Sequence, residues 1–296
     1  MDLRVLKYFV TVAHEECITT AAEKLKLTQP TLSRQLKDLE SEFGTQLFIR
    51  GSRSRCITLT PKGLILRRRA EELLALAEKT CQELSAKAEV AGTVYMGLAE
   101  TQAVRDIGRA CRIVREKHPG VDFSFHSADS CEVREGLEKG VLDFGLFCVD
   151  ADLREYETLE MPFKNYWGAY VRQDSPLARL KRLKPADFKG VPVLVSGQLS
   201  SRETISKWFG GEWERLDIAA SFNLIYNSAE MAKEGLGAVV GFNGLVNTQG
   251  TGLVFVPLCP EVEVTNRLAW RKNSALSQPA QVFLDTLKAE LARSRA

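Results

Sequence analysis

Three histidines in 296 residues, at 14, 118 and 126, leave no metal-ligand spacing, and seven cysteines occur without one CxxC pair. Their odd number and scatter fit reduced, buried thiols rather than a disulfide framework. No apolar run reaches the ~20 residues that cross a bilayer. The N-terminus lacks the cationic and apolar regions of a secretion signal, so a soluble, cytoplasmic protein with no membrane partner is expected. Phosphate loop, dinucleotide glycine fingerprint, nucleophile elbow and paired-carboxylate motif are all missing. The expectation is therefore no enzyme, no metal and no cofactor. The formal charge of +2 says little as a total, but it is unevenly spread: residues 1–69 hold 13 Lys and Arg against 7 Asp and Glu, and the rest of the chain 27 against 31. A cationic N-terminal end is the electrostatic footprint of a nucleic-acid partner.

At that end, residues 18–39, ITTAAEKLKLTQPTLSRQLKDL, read as two short amphipathic helices joined by a tight turn. Ala21, Ala22 and Leu25 share one stripe and Leu27 plugs the turn, small alanines letting a second helix come close. Thr20 with Glu23 fits a capping box, though Thr19 could cap equally well; Thr28 is the natural N-cap of the next helix. Pro30 falls in that helix's first turn, where a missing N–H costs nothing. Leu32, Leu36, Leu39 and Phe43 recur at the apolar period and should face a core, leaving Gln29, Thr31, Ser33, Arg34 and Lys37 outward. Gln pairs bidentately with adenine, Ser and Thr reach a base or a phosphate, and Arg or Lys neutralises phosphate or reads guanine. The pattern is that of a helix-turn-helix with double-stranded DNA as partner. Leu3, Leu6, Phe9, Val10 and Ala13 add a preceding helix, and residues 47–50 and 56–59 alternate as a hairpin around GSRSR, a wing. Thr28, Gln29, Pro30, Thr31, Ser33, Arg34 and Lys37 are the candidate DNA-binding residues, with Arg50, Arg53 and Arg55 of the hairpin. A plain solvated basic loop is the other reading of those last arginines.

AAEKLKLTQPTLSRQLKDLESEFGTQLFIR followed by LTPKG resembles the signature of the LysR-type transcriptional regulators almost position for position. The resemblance implies a winged helix-turn-helix in which Gln29, Thr31, Ser33 and Arg34 approach bases or phosphates, then a dimerisation helix and a ligand-binding domain. Cys17 departs from it, standing where the family often has a Ser that caps the first motif helix; a weaker cap is expected. The linker reads well on its own. Thr60, Pro61 and Gly63 open a segment to about residue 88 in which Leu66, Ala70, Leu73, Ala77, Thr80 and Leu84 lie 4, 3, 4, 3 and 4 apart. That is a coiled-coil seam on a helix about 40 Å long, at ~1.5 Å per residue, for which a second copy is one cover and the chain's own body the other. A homodimer sets two recognition helices about one DNA turn apart, which suits a pseudo-palindromic operator; by resemblance the assembly extends to a homotetramer.

From Gly92 onward strands and helices alternate: strands at 93–98, 121–125, 142–147, 167–171, 193–195, 218–222, 238–240 and 267–270, with helices at 104–117, 131–139, 201–209, 229–234 and 279–293. Such alternation predicts a parallel sheet flanked by helices. The expected fold class is α/β overall: an N-terminal winged helix-turn-helix over 1–60, a long linker helix over 61–90, and a C-terminal two-lobed, periplasmic-binding-protein-like α/β domain over 91–296. Lobe I takes about 91–162 and 267–296, lobe II about 163–266; HPGV and LEKGVLDFGL carry the likeness here. Ligands of such domains lie at the carboxyl ends of strands, near helix N-termini. The candidate effector residues are Glu100, Thr101, Gln102, Ser130, Ser196 and Gly197; Asn227, Ser228 and Phe242 join them by resemblance. Each hydroxyl could equally be a plain helix cap. The resemblance implies small carboxylates or aromatic acids as effectors, whereas Glu100 would oppose an anion and favour an amine, an amide or a zwitterion. The function expected is a DNA-binding transcriptional regulator modulated by a small-molecule effector. The alternatives are a constitutive repressor without ligand, a redox-responsive regulator using Cys131 in a helix's first turn, and a cleft enzyme.

Overall fold

The computed structural model describes residues 1–50, 57–84, 89–148, 153–272 and 275–295, which divide into two compact units, 1–86 and 87–296.

The first unit runs α1 (Leu3–Glu15), α2 (Ile18–Lys24), α3 (Gln29–Glu42), the antiparallel hairpin β1 (Phe48–Arg50) and β2 (Ile57–Leu59), and α4 (Pro61–Leu84). Asp2 caps α1 by accepting from the Arg4 N–H at 2.7 Å. Leu6, Phe9 and Val12 of α1, Ala21 and Ala22 of α2, and Leu32, Leu36 and Leu39 of α3 form one buried core. The turn between α2 and α3 passes through Lys26 at φ +55°, a left-handed position unusual outside glycine. Two expectations need correcting. Phe43 is 43% exposed, because α3 ends before it and the chain turns away at Gly44 (φ +60°). Neither Thr19 nor Thr20 caps α2: the helix already includes them, and Cys17 at the N-cap makes no side-chain cap bond. The Glu40 carboxylate accepts from the Leu47 and Phe48 N–H groups at 2.8 and 3.1 Å, tying α3 to the hairpin. Thr60 caps α4, accepting from the Gly63 N–H at 2.9 Å while donating to the Gln46 carbonyl at 2.9 Å. Gly63 must lack a side chain, since a Cβ there would sit 2.2 Å from the Leu47 carbonyl oxygen.

The seam on α4 also needs correcting. Ala70 is fully buried and Leu66 half-buried in the core of their own unit, because α1 packs along that side of α4. The apolar side chains that α4 leaves open are Leu64, Ile65, Leu73 and Leu76. Ala77 is half-buried, Thr80 donates to the Leu76 carbonyl at 2.8 Å, and the side chain of Leu84 lies outside the described residues.

The second unit contains β3 (Gly92–Leu98), α5 (Val104–Lys117), β4 (Val121–Ser127), α6 (Ser130–Glu138), β5 (Phe144–Phe147), β6 (Tyr156–Arg172), β7 (Val193–Ser196), α7 (Leu199–Phe209), β8 (Ile218–Phe222), α8 (Ile225–Lys233), β9 (Ala238–Phe242), β10 (Leu253–Pro257), β11 (Glu263–Arg271) and α9 (Gln278–Arg295). Its strands follow the order β4-β3-β5-β11-β6-β9-β7-β8, with β10 also pairing to β6. The sheet expected to be parallel is mixed. β3 pairs in parallel with β4 and β5, and β7 with β8 and β9, but β6 and β11 run antiparallel to each other and to their further partners. These two strands cross from one lobe to the other. Met161 and Leu268 lie in the core of lobe I, Trp167 and Val264 in that of lobe II. α9 returns to lobe I and packs on α5 and β3, placing Phe283 and Leu287 in its core.

Candidate functional site

The first candidate is the open side of α3. Thr28 caps the helix: its hydroxyl lies 3.4 Å from the Thr31 N–H it accepts from and 2.7 Å from the Thr31 hydroxyl. Gln29 Nε2 donates to Ser33 Oγ at 3.1 Å, which holds the amide along the helix. Thr28, Gln29, Pro30, Thr31, Arg34 and Lys37 are exposed and Ser33 half-buried, while Leu32, Leu36 and Leu39 face inward. Amide, hydroxyls and two cations thus share one solvent-facing surface on a helix braced by α1 and α2. The side chain of Arg50, and all of Arg53 and Arg55, lie outside the described residues.

The second candidate is the cleft between the lobes of residues 87–296, about 520 Å³ with its solvent mouth included. Glu100, Ser130, Ser196 and Phe242 line it. The other expected effector residues are placed differently. Thr101 is buried, its hydroxyl donating to Asn165 Oδ1 at 3.1 Å and accepting from the Ala103 N–H at 3.1 Å. Asn165 Nδ2 in turn donates to Asn266 Oδ1 at 2.9 Å, and Asn266 Nδ2 to the Phe163 carbonyl at 2.6 Å. This fully buried chain sits where β6 and β11 pair irregularly, between Thr265 and Arg267, so Thr101 belongs to the lobe crossing. Gln102 reaches across the lobes and donates to the Gly244 carbonyl at 2.9 Å. Gly244 has φ +72°, and a Cβ on it would meet the Gln102 amide at 1.8 Å. Gly197 pairs its N–H with the Phe222 carbonyl at 2.7 Å, Asn227 is exposed on α8, and Ser228 is buried on it; none of the three lines the cleft.

Much of the remaining lining had no clear signal in the sequence. Trp167 comes from the middle of β6, and its ring lies tilted against Phe242 with centroids 4.5 Å apart. Gln198 and Ser201 come from the start of α7; Gln198 donates to the Asn223 carbonyl at 3.2 Å. Phe222, the last residue of β8, and Asn223 just after it obey the strand-end rule and could have been found by it. Glu100 accepts from the Ile225 N–H, the first of α8, at 2.8 Å. Burial pushes its carboxyl above the usual carboxylate range, and that N–H pulls the other way. Cys148 also lines the cleft, but burial pushes its thiol up to about 12, so it is no nucleophile. Cys131 is exposed in the first turn of α6, where Asp129 Oδ1 accepts from the Cys131 and Glu132 N–H groups, both at 2.9 Å. Asp129 therefore brings a negative charge to the turn that carries this thiol. Among the described residues, no helix is long and apolar enough to cross a membrane.

Comparison with known proteins gives a consistent result. The family described as bacterial regulatory helix-turn-helix protein, lysR family, matches residues 3–64, and the LysR substrate binding domain matches residues 87–292. The chain is 29% identical over 304 residues to the HTH-type transcriptional regulator BsdA of Bacillus subtilis, covering 96% of this chain and 99% of that one. It is 28% identical to the Hca operon transcriptional activator HcaR of Escherichia coli, covering 92% of each. The crystal structure of HinK, a LysR family transcriptional regulator from Pseudomonas aeruginosa, matches with a TM-score of 0.56 at 28% identity over 98% of both chains.

Proposed function

Because the chain belongs to the LysR family of transcriptional regulators, we propose that it binds a pseudo-palindromic operator through the open face of α3 and answers to a small molecule held in the cleft of residues 87–296. It is a DNA-binding regulator with an effector domain and not an enzyme. Residues 1–60 serve as the winged helix-turn-helix, 61–90 as the linker and pairing helix, and 91–296 as the effector domain. The acting unit is a cytoplasmic homodimer, with a homotetramer as the larger assembly. Gln29, Thr31, Ser33, Arg34 and Lys37 meet the major groove, with Thr28 and Pro30 fixing the helix start and Arg50, Arg53 and Arg55 on the flanking phosphates or minor groove.

One observation carries this reading: the polar and cationic side of α3 is solvent-facing along its length while its other side is locked into a three-helix core. Such a helix is rigid enough to present several side chains to base edges at once. Footprinting on the promoter beside the protein's own gene tests it, with Arg34→Ala alongside. The variant should weaken operator binding and flatten the dependence of log K on log salt by about 0.9 for one lost phosphate contact. An unchanged slope would take Arg34 off the phosphates, and no preference for any duplex over random competitor would end the proposal.

A further inference from the structure

Glu100 is the single charged residue lining the cleft among the described residues. Its Oε2 takes the first N–H of α8, a helix whose own N-cap residue, Leu224, supplies no side-chain cap. A helix N-terminus is a ready site for an anion, and here the anion is built in, supplied by the opposite lobe. Among the described residues no cation accompanies it: what acts on the carboxyl is burial and the Ile225 N–H, and Oε1 has no hydrogen-bond donor. The start of α6, whose Ser130 also lines the cleft, is likewise filled from within, by the Asp129 carboxylate.

A second, independent observation concerns Trp167. It is 2% exposed and lines the same cleft, and among the described residues its indole Nε1 is the buried side-chain polar atom without a hydrogen-bond partner. A buried N–H that has given up water and found no acceptor is rare and asks for a missing partner. Phe222, Leu224, Val240, Phe242 and Leu245 supply apolar walls.

We propose that the cleft takes a small apolar amine that gives an N–H to Glu100 and an acceptor atom to Trp167 Nε1, and that it rejects carboxylates. The proposal rests on the reading of this cleft as the effector site and names the chemistry of what enters it. Beside Glu100 a carboxylate ligand meets an unneutralised carboxylate and two helix ends already filled with negative charge, the uncapped start of α7 being the one helix end in the lining, among the described residues, that holds no carboxylate. An ammonium meets the one charged group in the lining, and it need not displace the Ile225 bond because that bond uses Oε2 and Oε1 has no donor among the described residues.

The test uses the full-length chain and three probes of nearly one shape: 4-methoxybenzylamine, 4-methoxybenzoate and benzylamine, which lacks the acceptor. Binding is read by calorimetry and by the shift in melting temperature. The wild-type protein should bind 4-methoxybenzylamine at least tenfold more tightly than 4-methoxybenzoate. Glu100→Gln keeps an acceptor for the Ile225 N–H but removes the charge, so that preference should collapse. Trp167→Phe should weaken 4-methoxybenzylamine to the level of benzylamine and leave benzylamine unchanged. The proposal is overturned by equal or tighter binding of the benzoate, by no binding of the amine at millimolar concentration, or by an unchanged preference in Glu100→Gln. Should that variant not fold, the wild-type preference decides. Operator binding measured without probe separates the two readings: a protein that selects its duplex yet ignores the amine defeats this proposal alone, and one that selects no duplex defeats the regulator reading whatever the probes do.

Discussion

Glu100 carries a pH dependence whose sign follows from its surroundings. In the unfolded chain this carboxyl loses its proton near 4.5, and in the folded protein burial delays that loss to higher pH. Between the two, the folded state binds more protons than the unfolded one, so stability from this group is full below 4.5, falls as pH rises through the elevated folded value, and is flat beyond. The melting temperature of the wild type relative to Glu100→Gln should therefore drop across that interval; a constant difference from pH 4 to 8 would show that the carboxyl titrates normally. The position of Glu100 at a strand end was readable in the sequence, as was its conflict with an anion. Its bond to Ile225, 125 residues on, was not, because nothing local to either residue encodes the approach of two lobes. Thr101 and Gln102 teach the same point. Both stand where a ligand contact is reasonable, yet one is spent on Asn165 and the other on Gly244.

The helix α4 separates what periodicity reveals from what it hides. A spacing of 4 and 3 residues marks an apolar stripe, but it cannot say which partner covers which part of it. Because α1 takes the side bearing Leu66 and Ala70, the apolar surface that α4 leaves open is rotated toward Leu73, Leu76 and Ile65. Two substitutions one turn apart should then behave oppositely. Ala70→Glu places an unpaired charge in a closed core and should destabilise the DNA-binding unit by more than about 3 kcal/mol, seen as an early transition in a thermal melt. Leu73→Glu should leave the melt nearly unchanged and shift the sedimentation profile toward monomer. If Ala70→Glu were tolerated, the packing of α4 on α1 would be wrong. The strands show a parallel limit. The early part of β6 was missed because Pro162 and the charges at Glu157, Glu160 and Lys164 imitate a loop. β10 was missed because its short apolar run is fenced by Gly252 and Pro257.

Alternation of strands and helices was enough to expect an α/β body and the family resemblance to expect its two lobes, whereas the mixed sheet was not legible, since it depends on β6 and β11 each spanning both lobes. At their crossing, Thr101, Asn165 and Asn266 form a buried polar chain in which each amide has one neighbour on either side. Asn165→Ala strands the Thr101 hydroxyl and Asn266 Oδ1 together, at a cost of about 1–3 kcal/mol for each group left unpaired. The urea midpoint should fall accordingly while operator affinity without effector stays as it was; a midpoint equal to wild type would mean that water replaces the lost partner. The path of the backbone also sets an order of assembly. Lobe I is begun by β3, α5 and β4 but finished by β11 and α9, which follow all of lobe II in the chain. On a ribosome adding roughly 5–20 residues per second, the early half of that lobe must wait for the later polypeptide, with the faces meant for Phe283 and Leu287 uncovered. A chain interrupted before β11 would release a sensor with one lobe incomplete, and such fragments should be prime clients for chaperones and proteases.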